Sequence, residues 1–434
     1  MKPVIDIFFR KTLTFLLLSE MFLSFDTLCA ATFITPAGQI DSIDYVQYKG
    51  LIVDHKSGSP LAFASILLKG TNISTVSNTE GAFSLKVPKN YLNGSILISF
   101  LGYRNMVLSI SDVKTESNRF ELEALTVDLP EISVIFNDAA SLMLAVIDKK
   151  GDNYSANPAI MTAFYRETIK KRKTYVSLQE AVVDIYKYAY TSGKDDWASL
   201  YKVRKNTDYE KLDTLVFKLM GGPYNTLAAD VMKNSDIFFT EKMLTNYEFA
   251  FEKYTRIDNR TVYVIDFKQR PTYTDPLFYG KLYIDAQSLA MISAEYNLNL
   301  KNREAATQLF IKKKPLNAKV YPTRFHCRVD YVQKENKWYL NYCRVELDVY
   351  IDWKRRLFNT LYESTMEMAV TDWTTSNVEE KWLRPRERMK KSVIVADEAA
   401  GFADPLFWGE LNVIEPEKSI ESAIRKIQKQ LKKK

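Results

Sequence analysis

From Tyr175 to Val370 the chain alternates long runs rich in Tyr, Phe, Val, Ile and Thr with short polar breaks. The runs are Tyr175 to Tyr190, Asn246 to Ile257, Thr261 to Gln269, Phe278 to Asp285, Ala290 to Leu300, Thr307 to Lys312, Arg324 to Gln333, Lys337 to Tyr350 and Phe358 to Val370. Branched and aromatic side chains fit a pleated, half-buried surface better than a helix face. Asp258-Asn259-Arg260, Lys301-Asn302-Arg303 and Lys334-Glu335-Asn336 read as hairpin turns. Strands joined by such short turns pair with their sequence neighbours, so an antiparallel meander is expected here, curled into a curved sheet or half-barrel. Tyr209 to Met232, with Gly221-Gly222-Pro223 inside it, breaks the pattern and reads as a helical or loop insertion covering one mouth of the curl.

Upstream, Asp44 to Thr126 reads as shorter strands. Tyr48 to Asp54, Ala64 to Lys69, Ala82 to Val87, Ile96 to Leu101 and Met106 to Ile110 are separated by Gly-, Pro- and Asn-containing turns. Five or more strands at that spacing indicate a sandwich. Within Ala82 to Val87 the alternation is strict, so Phe83, Leu85 and Val87 are expected to face a core, and Ser84 and Lys86 to face water.

Three ordered motifs carry a resemblance. Ser57-Gly58-Ser59-Pro60-Leu61 with Ala64, then Ser77-Asn78-Thr79-Glu80-Gly81-Ala82-Phe83, then Ser99-Phe100-Leu101-Gly102-Tyr103 resemble the carboxypeptidase regulatory-like domain. The resemblance implies an Ig/transthyretin-like β-sandwich that is not itself a peptidase. In that family the module often begins outer-membrane transporters and other surface proteins of Gram-negative bacteria. Gly58 and Pro60 set a tight turn, Gly81 occupies a backbone position closed to a bulky residue, Phe83 anchors the next strand, and Gly102 ends its strand before Tyr103. The following helix, Phe-Tyr-Arg-Glu segment and antiparallel sheet resemble uncharacterised envelope proteins that carry the same module, and more loosely the half-barrel of lipoprotein carriers.

Helices are few. Asp138 to Lys150 places Ala140, Met143, Leu144 and Ile147 on one stripe and ends at Gly151. At the far end, Ile420, Ala423, Ile424, Ile427 and Leu431 among charges form an amphipathic helix with a basic end. Asp275-Pro276-Leu277-Phe278-Tyr279-Gly280 and Asp404-Pro405-Leu406-Phe407-Trp408-Gly409 echo each other as structural corners opened by Asp-Pro. The expected organisation is therefore mainly β: a leader over 1–31, the sandwich over 44–126, the larger antiparallel domain with a helical insertion over 137–415, and the tail helix over 416–434. At 434 residues the chain exceeds what one core usually holds, and 46% apolar with 26% charged residues is a globular composition.

The leader follows from basic Lys2, Arg10 and Lys11, the apolar stretch Leu13 to Leu28, and the small pair Ala30-Ala31. Glu20 and Asp26 make that stretch a poor permanent span, and Leu28 stands before Cys29 where a lipidation site wants a small residue. Export leaves Cys327 and Cys343 on the two arms of one hairpin. They are expected either to form a cross-strand disulfide or to be two buried free thiols.

Chemistry-bearing motifs are sparse. Zinc hydrolysis wants imidazole and carboxylate ligands, but the chain has only His55 and His326, neither in a zinc-binding pattern. No Ser elbow, phosphate loop or dinucleotide fingerprint occurs, and His326-Cys327 are adjacent on a strand and so point to opposite faces. Glu167 and Glu180 can meet across a hairpin as a glycosidase pair, although ion-paired carboxylates are the ordinary reading. The net charge of +7 is modest, and the basic runs Lys170 to Lys173, Lys312 to Lys314 and Lys432 to Lys434 read as solvated faces rather than nucleic-acid contacts.

The expectation is an exported, non-enzymatic protein of the periplasm or outer membrane acting in binding or assembly. It needs no cofactor or metal and associates with membrane peripherally at most. Its partners are an envelope protein, a lipid or a glycan, not nucleic acid. The competing expectations are a carboxylate-based carbohydrate hydrolase and an accessory of TonB-dependent transport.

Overall fold

The computed structural model describes residues 45–125, 136, 138–208, 222–235, 239–240, 244–257, 259–311, 317–354, 359–375, 378, 388–390, 399–404 and 406–432. The expected leader, Lys312 to Lys314 and most of the insertion from Tyr209 to Met232 lie outside them.

The first unit is a two-sheet sandwich of β1 (Tyr45–Asp54), β2 (Ser65–Leu68), β3 (Ser74–Val76), β4 (Ala82–Pro88), β5 (Ser95–Ser99), β6 (Met106–Ser109) and β7 (Asn118–Leu122). The sheets run β4-β1-β7 and β3-β2-β5-β6, with β7 parallel to β1. Ile52, Ile66, Leu85 and Ile98 are fully buried between them, with Phe83 and Leu122 almost so. Removing such a side chain from water stabilises the sandwich by about 1.5–3 kcal/mol each. Gly81 shows why its position excludes other residues: its φ is +75°, and an added Cβ would lie 2.6 Å from the Ile52 carbonyl oxygen.

β3 and β7 add to the five runs named from the sequence: Ser-Thr-Val is too short to show a period, and β7 is an edge strand with charged residues. One sandwich expectation is corrected. The second face of β4 is not in water: Ser84 is 1% exposed and Lys86 7%. Residues near the C-terminus cover that face, as described below.

The larger unit starts with α1 (Ala139–Asp148), α2 (Lys150–Asn153), β8 (Ala159–Lys171), β9 (Thr174–Lys187), β10 (Trp197–Thr207) and α3 (Pro223–Ala228). Next come β11 (Tyr247–Ile257), β12 (Arg260–Gln269), β13 (Phe278–Asp285), β14 (Met291–Leu298) and α4 (Arg303–Phe310). It ends with β15 (Ala318–Lys334), β16 (Lys337–Trp353), β17 (Thr360–Thr374) and α5 (Lys418–Leu431). Its ten strands form one antiparallel, curved sheet that does not close, in the order β10-β9-β8-β17-β16-β15-β14-β13-β12-β11. Two meanders, β8 to β10 and β11 to β17, meet where β17 pairs with β8.

Local chemistry explains where the helices depart from expectation. Asp138 caps α1 by accepting from the Ser141 amide at 2.8 Å, but the buried residues are Ala139, Leu142, Met143 and Val146. Leu144 of the expected stripe is 45% exposed and Ala140 is also exposed. The segment is apolar nearly all round, so its periodicity did not select a face. Gly151 lies within α2 rather than ending α1, whose C-cap is Lys149. Lys301-Asn302-Arg303 is no hairpin: Asn302 Oδ1 accepts from the Ala305 amide at 3.1 Å and starts α4 where a strand was expected from Thr307.

The long hairpin β15–β16 turns through Glu335 (φ +49°) and Asn336 (φ +62°), with Lys334 opposite Lys337. A bulge between Asp330 and Tyr331 then sets Cys327 opposite Val345 and Cys343 opposite Val329. Of the two alternatives, the structure has the second: two free, fully buried thiols. Diagonal partners lie about 7–8 Å apart, well beyond the roughly 4 Å between the Cβ atoms of a disulfide.

Candidate functional site

The two faces of the large sheet differ in chemistry. On one face a single cross-strand row runs through nine strands in register: Arg204, Glu180, Arg166, Glu367, Arg344, Arg328, Glu295, Lys281 and Asp266. Signs alternate along it except at the Arg344–Arg328 step. Arg166, 2% exposed, donates from Nε to Glu180 Oε1 at 2.8 Å, from Nη1 to Glu367 Oε1 at 3.0 Å and from Nη2 to the Ile414 carbonyl at 2.8 Å. Arg204 Nη2 lies 2.6 Å from Glu180 Oε2, and Arg344 Nη1 lies 3.1 Å from Glu367 Oε2. Burial opposes the charge on Glu180, but the Arg166 and Arg204 guanidiniums overcome it and hold the carboxyl below its usual range.

The sandwich docks where the row's signs fail to alternate. Phe63 stacks on Tyr342 with ring centroids 4.9 Å apart, and its ring lies 5.5 Å from the guanidinium carbons of both Arg328 and Arg344. A shared aromatic face attracts both cations where they would otherwise repel. Ser74 Oγ donates to the Val370 carbonyl at 3.0 Å, and Asn72 bridges Lys334 and the Trp373 carbonyl.

Residues 409–418 strap this junction along β4 and β3. Asn412 Oδ1 accepts from the Lys86 amide at 2.7 Å while its Nδ2 donates to the Lys86 carbonyl at 3.2 Å, in the manner of an added strand residue. Lys86 Nζ donates to the Leu411 carbonyl at 2.9 Å, and burial pushes its pKa down to about 8. Asn78 Nδ2 reaches the Glu415 carbonyl at 3.0 Å, and Thr79 Oγ1 reaches Glu417 Oε1 at 3.0 Å. α5 then packs Ile420 and Ile427 against Leu178 and Phe402.

The opposite face is apolar. Met161, Ala163, Val183, Ile265, Ala294, Val329, Cys343 and Met368 are at most 1% exposed in one continuous cluster. α1 and residues 222–235 lie against part of it, burying Met143, Tyr224, Leu227 and Met232. Fully buried Lys187 holds that segment: Nζ donates to Asp230 Oδ2 at 2.8 Å and to Asp196 Oδ2 at 2.9 Å, while Tyr331 OH donates to Asp230 Oδ1 at 2.7 Å. The apolar face continues onto the edge strand β11, against which α1 packs. Phe249, Phe251 and Tyr254 are only partly buried, lying over Phe267 and Tyr263 of β12 with ring centroids 5.5–6.2 Å apart.

The residues singled out in the sequence are dispersed. Glu167 and Glu180 do not meet: Glu180 lies opposite Arg166 in the charged row, whereas Glu167 lies opposite Gln179 and accepts from Tyr165 OH at 2.8 Å. Neighbouring strand positions face opposite sides, so the sheet separates the two carboxylates. His326 Nε2 lies 3.0 Å from Glu295 Oε1 on the charged face, while Cys327 is buried in the apolar cluster. His55 Nδ1 sits 3.0 Å from Glu121 Oε2 at the sandwich surface. Gly58 and Gly102 take φ of +69° and +87°; Pro60 makes an isolated bridge with Val53, and Tyr103 one with Ala124. Gly102 also donates its amide to the Arg256 carbonyl of β11 at 2.7 Å. Among the described residues no three His, Cys, Asp or Glu side chains group as metal ligands.

Among solved structures, the chain is similar at 11% identity to a DUF1329 family protein from Desulfovibrio piger, over 55% of this chain and 92% of that one, with a TM-score of 0.22. It is similar at 10% identity to a putative outer membrane lipoprotein-sorting protein domain from Vibrio parahaemolyticus, over 57% and 96%, with a TM-score of 0.23. Lipovitellin matches at 9% identity over 64% and 31%, also at 0.23. Scores this low carry no argument about function. No curated protein matches. Residues 48–134 match the CarboxypepD_reg-like domain family, about a fifth of the chain, and the chain carries a domain of that family there.

Proposed function

We propose that this chain is an exported, non-enzymatic binding or assembly protein of the Gram-negative periplasm or outer membrane, holding a hydrophobic ligand such as an acyl chain against the apolar face of its large sheet. One observation carries the reading: the sheet's two faces are divided. The charged face is engaged by its own ion pairs, the docked sandwich and the C-terminal strap. The apolar face runs out to partly buried Phe249, Phe251 and Tyr254 on an edge strand. Concave sites lined mainly by apolar and aromatic side chains are the usual holders of small hydrophobic ligands. The carboxylates considered for hydrolysis support the non-enzymatic reading, because Glu180 is neutralised by two guanidiniums and Glu167 lies across the sheet from it.

Fractionation of cells expressing the full chain, followed by solvent extraction of the purified protein, tests this. The mature protein is expected in the periplasmic or outer-membrane fraction with an acyl-bearing molecule in the extract. Recovery in the cytosol, or a glycan-cleaving activity lost on Glu180→Gln, would contradict it.

A further inference from the structure

We propose that the cleft where the sandwich, the charged sheet face and the start of α5 converge binds a neutral, hydroxyl-bearing ligand the size of one sugar ring. This site lies on the face opposite the apolar one and stands independently of the hydrophobic-ligand reading.

The cleft has a volume of about 140 Å³. That is room for several waters or a small ligand. Nearly all of its lining is polar. Arg166, Lys170 and Arg344 bring three positive charges, and Glu80, Glu367 and Glu417 bring three negative ones. The formal charges cancel, so an anion meets carboxylates there and a cation meets guanidiniums.

Unused hydrogen-bonding capacity points to the ligand. Glu417 is 7% exposed; its Oε1 accepts from Thr79, but its Oε2 is buried with no hydrogen-bond partner. A buried carboxylate oxygen left unpaired costs about 1–3 kcal/mol or more, and a turn of the Glu417 carboxyl group toward the cleft would let a ligand donor recover it. Across the cleft, Thr168 and Thr365 are direct cross-strand partners whose hydroxyls join the lining. Lys170 Nζ lies 4.7 Å from the Tyr175 ring centroid, and Tyr175 OH lies 3.0 Å from Ser419 Oγ. Carboxylate, ammonium and hydroxyl groups thus share a small space of cancelling formal charge, a mixture that a ring bearing several hydroxyl groups, each both donor and acceptor, can satisfy. Every wall comes from a different part of the chain, so the site exists only when the sandwich is docked.

Saturation-transfer NMR and calorimetric titration of the full chain with N-acetylglucosamine and methyl glucoside, with inorganic phosphate and propylammonium as charged controls, test the assignment. At least one sugar is expected to bind in the millimolar range. Glu417→Gln and Thr365→Val should each weaken it about tenfold or more, the loss of one hydrogen bond to a buried partner. Thr365→Val preserves shape, so an unchanged melting temperature in that variant assigns the loss to the ligand contact rather than the fold. Binding of phosphate or propylammonium in place of the sugars overturns the neutral-ligand assignment. Absence of any sugar binding, or sugar binding unchanged in both variants, overturns the site.

Discussion

Arg166 engages all three of its guanidinium nitrogens while 2% exposed, two with carboxylates and one with the backbone of the C-terminal strap. Arg166→Met leaves buried Glu180 and Glu367 each short of a partner. Urea unfolding at neutral pH should show a loss of about 3–5 kcal/mol. The sign with pH follows from Glu180: its folded pKa is lowered, so its contribution is present above the unfolded value and lost as pH falls through the folded one. The penalty of Arg166→Met should therefore shrink in acid. Asp348 behaves oppositely. Burial, with Glu363 and Glu346 nearby, raises its pKa from 3.8 to about 6 despite Arg324. Its charge is tolerated less well folded than unfolded, so stability falls as pH rises through that window. Asp348→Asn should raise stability at neutral pH by no more than about 1 kcal/mol once solvent screening is allowed for, and give no gain below pH 3.8. The thiols of Cys327 and Cys343, both pushed up by burial, should resist alkylation until the protein unfolds, with no mass change on reduction. At this scale the sequence showed which residues were chemically unusual only by their scarcity. Arg166 and Glu180 stood in plain view, but their pairing depends on a hairpin register that a bulge between Ile169 and Lys170 adjusts.

Elements were more legible where a turn and an alternation agreed. β13, Phe278–Asp285, carries the expected boundaries, and β11 pairs with β12 up to Ile257 opposite Arg260, where the turn was expected. Thr307 to Lys312 failed because a short apolar run satisfies either period, and the Asn302 cap decided for helix. Lys86 and Ser84 failed for a different reason: alternation identifies two faces but cannot tell that residues more than 300 positions later will cover the polar one. The strap is correspondingly testable. Asn412→Ala leaves the amide and carbonyl of buried Lys86 unpaired, and urea unfolding should show a loss of about 1–3 kcal/mol. A variant indistinguishable from the parent would mean that the strap does not secure β4.

For the whole molecule, the sequence located a small sandwich ahead of a curved antiparallel sheet, and the structure has both. What it could not supply was their relation. Phe63 at φ +67°, Asn72 and Asn78 look like ordinary loop residues in sequence, yet they bind the sandwich to the charged face and leave the apolar face on the other side. The division of the sheet is the basis of the functional account, and the edge aromatics are a partly buried stretch of its apolar face. The most direct test is fluorescence titration of the mature, delipidated chain with a fluorescent fatty acid, alongside Phe251→Glu. The account predicts saturable binding near one ligand per chain, weakened at least about tenfold by a charge placed on the apolar row. A folded protein that takes up no fatty acid, or a Phe251→Glu variant that binds as the parent does, would contradict it.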